Sequence, residues 1–233
     1  PQTLQALDQA AWSVRDRLSA DTWRVVNDIE TCLRSLTKQP PRELSAALDV
    51  LDPLVTSLVA FSALTHENMT HNEGWHFLEA GRRLERGANL TTLLRATLVP
   101  VITEGEETLV VEGVLGVTDS LITFRRRYQA GTRVGALLDL VFQDEANPRA
   151  LAHQLVALQQ LVGEMPRAEL ASGRTRAEKL VLKALTGVRL AEIDELVRPD
   201  PAGARRESLD VRLTALGDEL AAISDALTGL YFR

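Results

Sequence analysis

The sequence predicts an all-α fold, a multi-helix bundle of about seven to nine helices, because its apolar residues recur at three- and four-residue steps almost throughout. Proline and glycine clusters break that pattern at intervals that suit helix-to-helix turns. No pair of alternating segments offers two strands to a sheet. With 45% hydrophobic and 25% charged residues in 233, the chain has ample material for a core and is not of disordered composition.

Leu4, Leu7, Ala11, Val14 and Leu18 predict a first amphipathic helix, with Ser19 ending it and capping the next. The second helix carries Trp23, Val26, Ile29, Leu33 and Leu36 as far as Pro40-Pro41, where a helix cannot continue. Trp12 and Trp23 read as core anchors. A third helical segment runs from Arg42 to about Met69. In it Pro53 either kinks the helix or opens a new one, and Leu51, Leu54, Val55, Leu58, Val59 and Ser62 form the inner face.

Asn72 caps a helix predicted over 73–98, with Glu73 in its first turn, where a carboxylate offsets the free N–H groups. This is the expected central helix. Phe77, Gly81, Leu84, Ala88 and Thr91 form its apolar stripe, with Phe77, Leu84 and Ala88 buried. Glu85 lies at the edge of that stripe between small residues, so a second backbone is expected to approach there and draw the carboxylate inward. A buried carboxylate needs partners, and Arg126 and Arg149 are the expected ones from outside the helix. Glu79 and Arg83 have the spacing of an ordinary solvated i,i+4 pair.

After Pro100, the acidic Glu104–Glu107 segment opens a helical stretch to Tyr128, chosen over a valine-rich strand on the spacing of Val114, Val117, Leu121 and Phe124. Arg125-Arg126-Arg127 cannot share one helix face, so at least one should point toward neighbouring elements. Gly131 marks a turn before a short helix over 134–142. Asn147-Pro148-Arg149 reads as N-cap, N1 and N2 of the next helix, whose free N–H groups beside a guanidinium make a seat for a carboxylate or phosphate, although simple capping also accounts for it. Two further helices are predicted over about 174–197 and 207–230, separated by the Arg198–Gly203 proline loop.

The net charge of −6 argues against general nucleic-acid binding. Cys32, the single cysteine, excludes an intramolecular disulfide and suits a reducing cytoplasm. No apolar run reads as a membrane span, so no membrane partner is expected. His66, His71 and His76 are spaced by five, which swings them apart around a helix. Glu67 with His71 and His76 with Glu79 keep usable ligand spacing, but no metal site is expected. There is no phosphate loop, nucleophile elbow or Cys-His pair with supporting sequence.

Several stretches together are similar to one family. They are Val14-Arg15-Asp16-Arg17-Leu18-Ser19 with Trp23, then Glu67-Asn68-Met69-Thr70, then Gly74-Trp75-His76-Phe77-Leu78 followed by Gly81-Arg82-Arg83-Leu84-Glu85-Arg86. Phe124-Arg125-Arg126-Arg127-Tyr128 and Asn147-Pro148-Arg149-Ala150-Leu151 complete the set. The chain resembles the bacterial alpha-E domain, a helical fold with a Glu-Arg motif. His71 and His76 depart from it, standing where arginine is expected. The resemblance, carried by roughly residues 7–160, implies a single domain over residues 1–233 that lacks its N-terminal helix; the proline loop offers a weak boundary near 198–204, and Pro1 in place of an initiator Met suits a processed chain or a piece cut from a longer protein.

The resemblance also implies a companion of circularly permuted ATP-grasp ligases, fused or separate, with a transglutaminase-like protease as a second partner. The expected function is then a substrate- or partner-binding module in peptide or amino-acid ligation. The domain itself would hold no cofactor, and ATP and Mg would belong to the ligase. The implied binding residues are Glu67, Arg82, Glu85, Arg86, Arg126, Tyr128, Asn147 and Arg149. The alternative is a helical enzyme in its own right, using Glu67 or Glu85 as general base or metal ligand.

Overall fold

A computed structural model describes residues 2–38, 40–128, 133–166 and 173–232. Among them are eleven α-helices, a short 3-10 helix and a π-helical segment, with no strand beyond an isolated bridge between Pro100 and Arg205. The class is all-α, with more helices than expected because two predicted helices are each broken in two. The chain divides into two compact units, Pro1–Trp75 and His76–Arg233.

In the first unit, α1 (Gln2–Ser13) and a 3-10 turn (Arg15–Arg17) precede α2 (Ala20–Lys38) and α3 (Leu44–Asn68). Helix α1 therefore stops before Leu18, the residue that its apolar spacing had included. Ser19 does cap α2, its hydroxyl accepting from the Thr22 N–H at 3.2 Å, and α2 ends ahead of the prolines. Val26, Ile29 and Leu33 are buried where α2 packs on its neighbours. Trp12 meets Trp23 edge-on at 4.9 Å but remains 50% exposed, so it is a surface contact rather than a core anchor.

Helix α3 runs through Pro53 without a break. Of its expected inner face only Leu54 is buried, together with Thr65, while Leu51, Val55, Leu58 and Val59 are exposed. The helix is long and apolar enough to cross a membrane by length and composition. By that criterion α3 departs from the expectation that no apolar run reaches the length of a membrane span.

Helix α4 (Glu73–Leu98) has the predicted limits, and the Asn72 side chain accepts from the Gly74 N–H at 3.1 Å. In the second unit it is followed by α5 (Glu104–Val117), α6 (Leu121–Arg127), α7 (Val134–Leu138), the π segment (Asp139–Gln143) and α8 (Leu151–Glu164). Then come α9 (Arg176–Arg189), α10 (Ile193–Leu196) and α11 (Glu207–Tyr231). The turn expected at Gly131 lies outside the described residues.

The most completely buried stretch is α7 with the π segment, rather than α4: Leu137, Leu138, Leu140, Val141 and Phe142 have no exposed surface. A segment this apolar must be largely enclosed, and here α8 and α9 pack on it, with α11 laid along α9 and Asp139 left on the exposed side. Gln143 closes its end by donating to the carbonyls of Val188 and Ala191 at 2.9 and 2.6 Å. The loop before α11 is held by Arg206, buried, which donates to the carbonyls of Leu98, Pro100 and Val197 and pairs with Glu107.

Candidate functional site

The buried stripe of α4 is Ala80, Gly87, Leu90, Thr91, Leu94 and Leu98, with Glu79 at its head. It is rotated by one residue, about 100°, from the predicted stripe, so Phe77, Leu84 and Ala88 are only half-buried. Gly81 has open space where a side chain would be, whereas Gly87 faces Leu220 of α11, with 3.4 Å left for a β-carbon. The backbone approach expected beside Glu85 is not found; the packed glycine of α4 is Gly87, and it meets the Leu220 side chain.

The rotation decides which carboxylate is internal. Glu79 is 4% exposed, and Glu85 is exposed, touching Asn89 of its own helix at 3.3 Å rather than an arginine from elsewhere. Arg82 donates to Glu79 at 2.6 Å and Arg83 pairs with its other oxygen. Arg83 also reaches the Gln154 carbonyl oxygen on α8 at 3.3 Å. Gln154, itself buried, donates to the carbonyls of Pro148 and Ala150, so the network runs from α4 to the loop that carries Arg149.

That loop is not the helix start that Asn147-Pro148-Arg149 suggests. Helix α8 begins at Leu151 with Ala150 at its N-cap, and Asn147 instead makes a tight turn, its side-chain oxygen accepting from the Arg149 N–H at 3.1 Å. The Asn147 amide also donates to the Leu140 carbonyl at 3.0 Å and to the Ser120 hydroxyl at 3.4 Å. Asn147 thereby ties Arg149 to the Thr118–Ser120 turn, where Asp119 has a left-handed φ of 48°. Asp119 stands 3.9 Å from the Arg149 guanidinium, with both groups largely open to water.

Between these elements lies a cleft of about 490 Å³ lined by Arg82, Glu85, Arg86, Asn89, Leu90, Leu93, Val117, Thr118 and Arg149. Arg86 is half-buried on its wall and makes no hydrogen bond or ion pair among the described residues. Burial, followed by the neighbouring guanidinium groups of Arg83, Arg149 and Arg82, pulls its pKa below the ordinary arginine value, against an opposing effect from Glu79. Arg82 and Arg83 are paired with Glu79, while Arg86 feels the positive charge of Arg82, Arg83 and Arg149 together, an arrangement that offers a positive field to an anionic group.

The remaining expected residues are elsewhere. Glu67 is exposed at the end of α3, in the first unit. Arg126 is exposed and without an ion pair among the described residues; Arg127 is the arginine of that run which reaches out, to Asp144 at 2.7 Å. Tyr128 donates to Asp139, and burial followed by that bond raises the pKa of its phenol. The histidines are occupied structurally. His71 stacks on Trp75 at 3.8 Å and meets the His66 carbonyl, and His76 contacts Glu164 at 3.1 Å. The sequence reading missed Arg83 and Gln154, and it placed Glu79 on the surface. The Glu79, Arg82 and Arg83 spacing of three and four was the available signal, since it lets one carboxylate take two guanidinium groups.

The comparisons agree on kinship. The uncharacterized protein Rv2567 of Mycobacterium tuberculosis (strain ATCC 25618 / H37Rv) is 32% identical over 231 residues, covering 97% of this chain and 26% of its own length. The uncharacterized protein Mb2597 of Mycobacterium bovis (strain ATCC BAA-935 / AF2122/97) aligns with the same identity and coverage. The chain spans about a quarter of the length of these curated relatives. No solved structure matches it. The single Glu-Arg dipeptide in the sequence is Glu85-Arg86, on the wall of the cleft. With a match over residues 1–232, the chain belongs to the Alpha-E family, described as an alpha-helical domain with a conserved ER motif.

Proposed function

We propose that this chain is a substrate- or partner-binding helical module of an ATP-grasp-associated peptide or amino-acid ligation system, and that its cleft holds an anionic group. One observation carries the reading: Arg86 presents a half-buried guanidinium, with no ion-pair partner among the described residues, beside Arg82 and Arg149. Leaving such a cation unpaired is costly, and an incoming carboxylate or phosphate would relieve the mutual repulsion of the cluster.

The arginine-rich lining supports a binding role for this chain. Guanidinium groups bind and orient anions, and they do not deprotonate a nucleophile. Activation of a carboxylate by ATP and Mg would belong to a circularly permuted ATP-grasp ligase, fused or separate, with a transglutaminase-like protease as a further companion. The curated relatives are about four times as long as the matched segment, which leaves room for a catalytic portion in the same polypeptide.

The test is ligation measured as ADP release by a circularly permuted ATP-grasp ligase from the same genome, with and without the full chain. The chain should stimulate turnover or lower the KM for the anionic substrate, and Arg86→Gln should reverse at least tenfold of that effect. Unchanged turnover in the presence of the chain, with no protection of the chain by inorganic phosphate or acetate against thermal unfolding, would overturn the proposal.

A further inference from the structure

The cleft beside Arg86 is not uniformly cationic. Leu90, Leu93 and Val117 supply an aliphatic wall, and Glu85 adds a carboxylate whose one side-chain hydrogen bond among the described residues comes from the amide of Asn89. A bare phosphate would satisfy the arginines, but it would leave the aliphatic wall uncovered and would be repelled by Glu85. A ligand with one anionic group, one cationic group and an apolar body would use all three surfaces. The volume of about 490 Å³ is that of a small-molecule site, and its mixture of apolar lining with few directional polar groups is what such sites present.

We propose that the cleft binds an aliphatic α-amino acid, with its carboxylate on Arg86 and Arg149, its ammonium on Glu85 and its side chain against Leu90, Leu93 and Val117. This rests on the anion-binding reading above and adds the class of ligand. Arg82 is already engaged by Glu79, so it contributes field rather than a free fork. The Arg149 backbone is tethered by Asn147, and among the described residues its guanidinium has one ion-pair contact, the exposed Asp119 at 3.9 Å, which an incoming carboxylate can replace. The adjacent Glu85 and Arg86 side chains, both on the cleft lining, supply opposite charges within one turn of α4 and so select a zwitterion over a simple anion.

The experiment is isothermal titration of the full chain with leucine, N-acetyl-leucine, leucinamide, glycine and inorganic phosphate. Leucine should bind at least tenfold tighter than the other four, each of which lacks the ammonium, the carboxylate, the aliphatic body or more than one of them. Glu85→Gln, at an exposed position, should weaken leucine to the level of N-acetyl-leucine without weakening phosphate, and Arg86→Gln should weaken every anion tenfold or more. If phosphate binds as tightly as leucine and Glu85→Gln strengthens both, the cleft is an anion site without amino-acid selectivity. In that case the ligand class fails while the anion-binding reading survives. Absence of binding by leucine and phosphate alike overturns both.

Discussion

Arg82 donates from Nη1 to Oε2 of Glu79 at 2.6 Å, in the interior of the second unit. Arg83 takes the other oxygen of the same carboxylate, so two consecutive guanidinium groups are held by one buried charge. Removing that charge should be far costlier than removing the exposed one six residues on. Glu79→Gln is expected to destabilise the chain by roughly 2 to 4 kcal/mol, since it strands two partly buried cations, while Glu85→Gln should stay within about 0.5 kcal/mol. Urea unfolding of the two variants checks this, and equal midpoints would show that Glu79 is not the hub.

Two helical glycines should respond oppositely to alanine. At Gly81 there is open space, so Gly81→Ala should stabilise α4 by about 0.5 to 1 kcal/mol through helix propensity. At Gly187 a β-carbon would come within 2.6 Å of Arg212 Nη2, which donates to the Ala184 carbonyl and to Glu219. Gly187→Ala must displace that guanidinium, and a net loss of about 1 to 2 kcal/mol is expected despite the better propensity. Thermal melts of both variants distinguish the two outcomes.

Asp119, at a φ of 48°, occupies a region that aspartate tolerates and β-branched residues do not. Asp119→Gly should leave stability within about 0.5 kcal/mol, and Asp119→Val should cost roughly 1 to 2 kcal/mol more. Because the change to glycine also removes the carboxylate opposite Arg149, phosphate affinity measured by titration should rise or hold rather than fall.

Acid should weaken the second unit through identifiable carboxylates. The bond from Arg95, reinforced by Arg205, holds the Asp210 pKa below its ordinary value, and Arg189 does the same for Glu145. A depressed folded pKa adds stability that is fully present above the ordinary carboxylate range, near pH 4, and is lost as the pH falls through the lower folded values. Asp210→Asn should therefore flatten the decline of melting temperature below about pH 4, relative to wild type. An unchanged slope would mean that the Arg95–Asp210 pair is not formed in solution.

The helical class, the limits of α4, the Ser19 and Asn72 caps and the course of α11 were all legible in the sequence, because each depends on residues within a turn or two of one another. So was the enrichment of arginine at the future cleft. The breaks were less legible: Thr118–Ser120 interrupts an apparently continuous pattern, and Ala150 rather than Asn147 caps α8. Asn147 instead donates to the Leu140 carbonyl of the π segment and to the Ser120 hydroxyl of the Thr118–Ser120 turn, and periodicity carries no record of such contacts.

What the sequence by itself determined was an all-α chain of amphipathic helices with a cationic cluster near Arg82–Arg86. What only the tertiary structure decided was the face that α4 turns inward. Two stripes one residue apart both contain small and apolar side chains, so local pattern does not choose between them. The choice falls to Gly87 against Leu220 and to Gln154, which meets Arg83 from 71 residues away. Those contacts put Glu79 inside, leave Glu85 exposed and set Arg86 on the wall of the cleft with no ion pair among the described residues. Burial of a charge is favourable only where distant groups arrive to satisfy it, and their arrival is a property of the packed unit rather than of the helix.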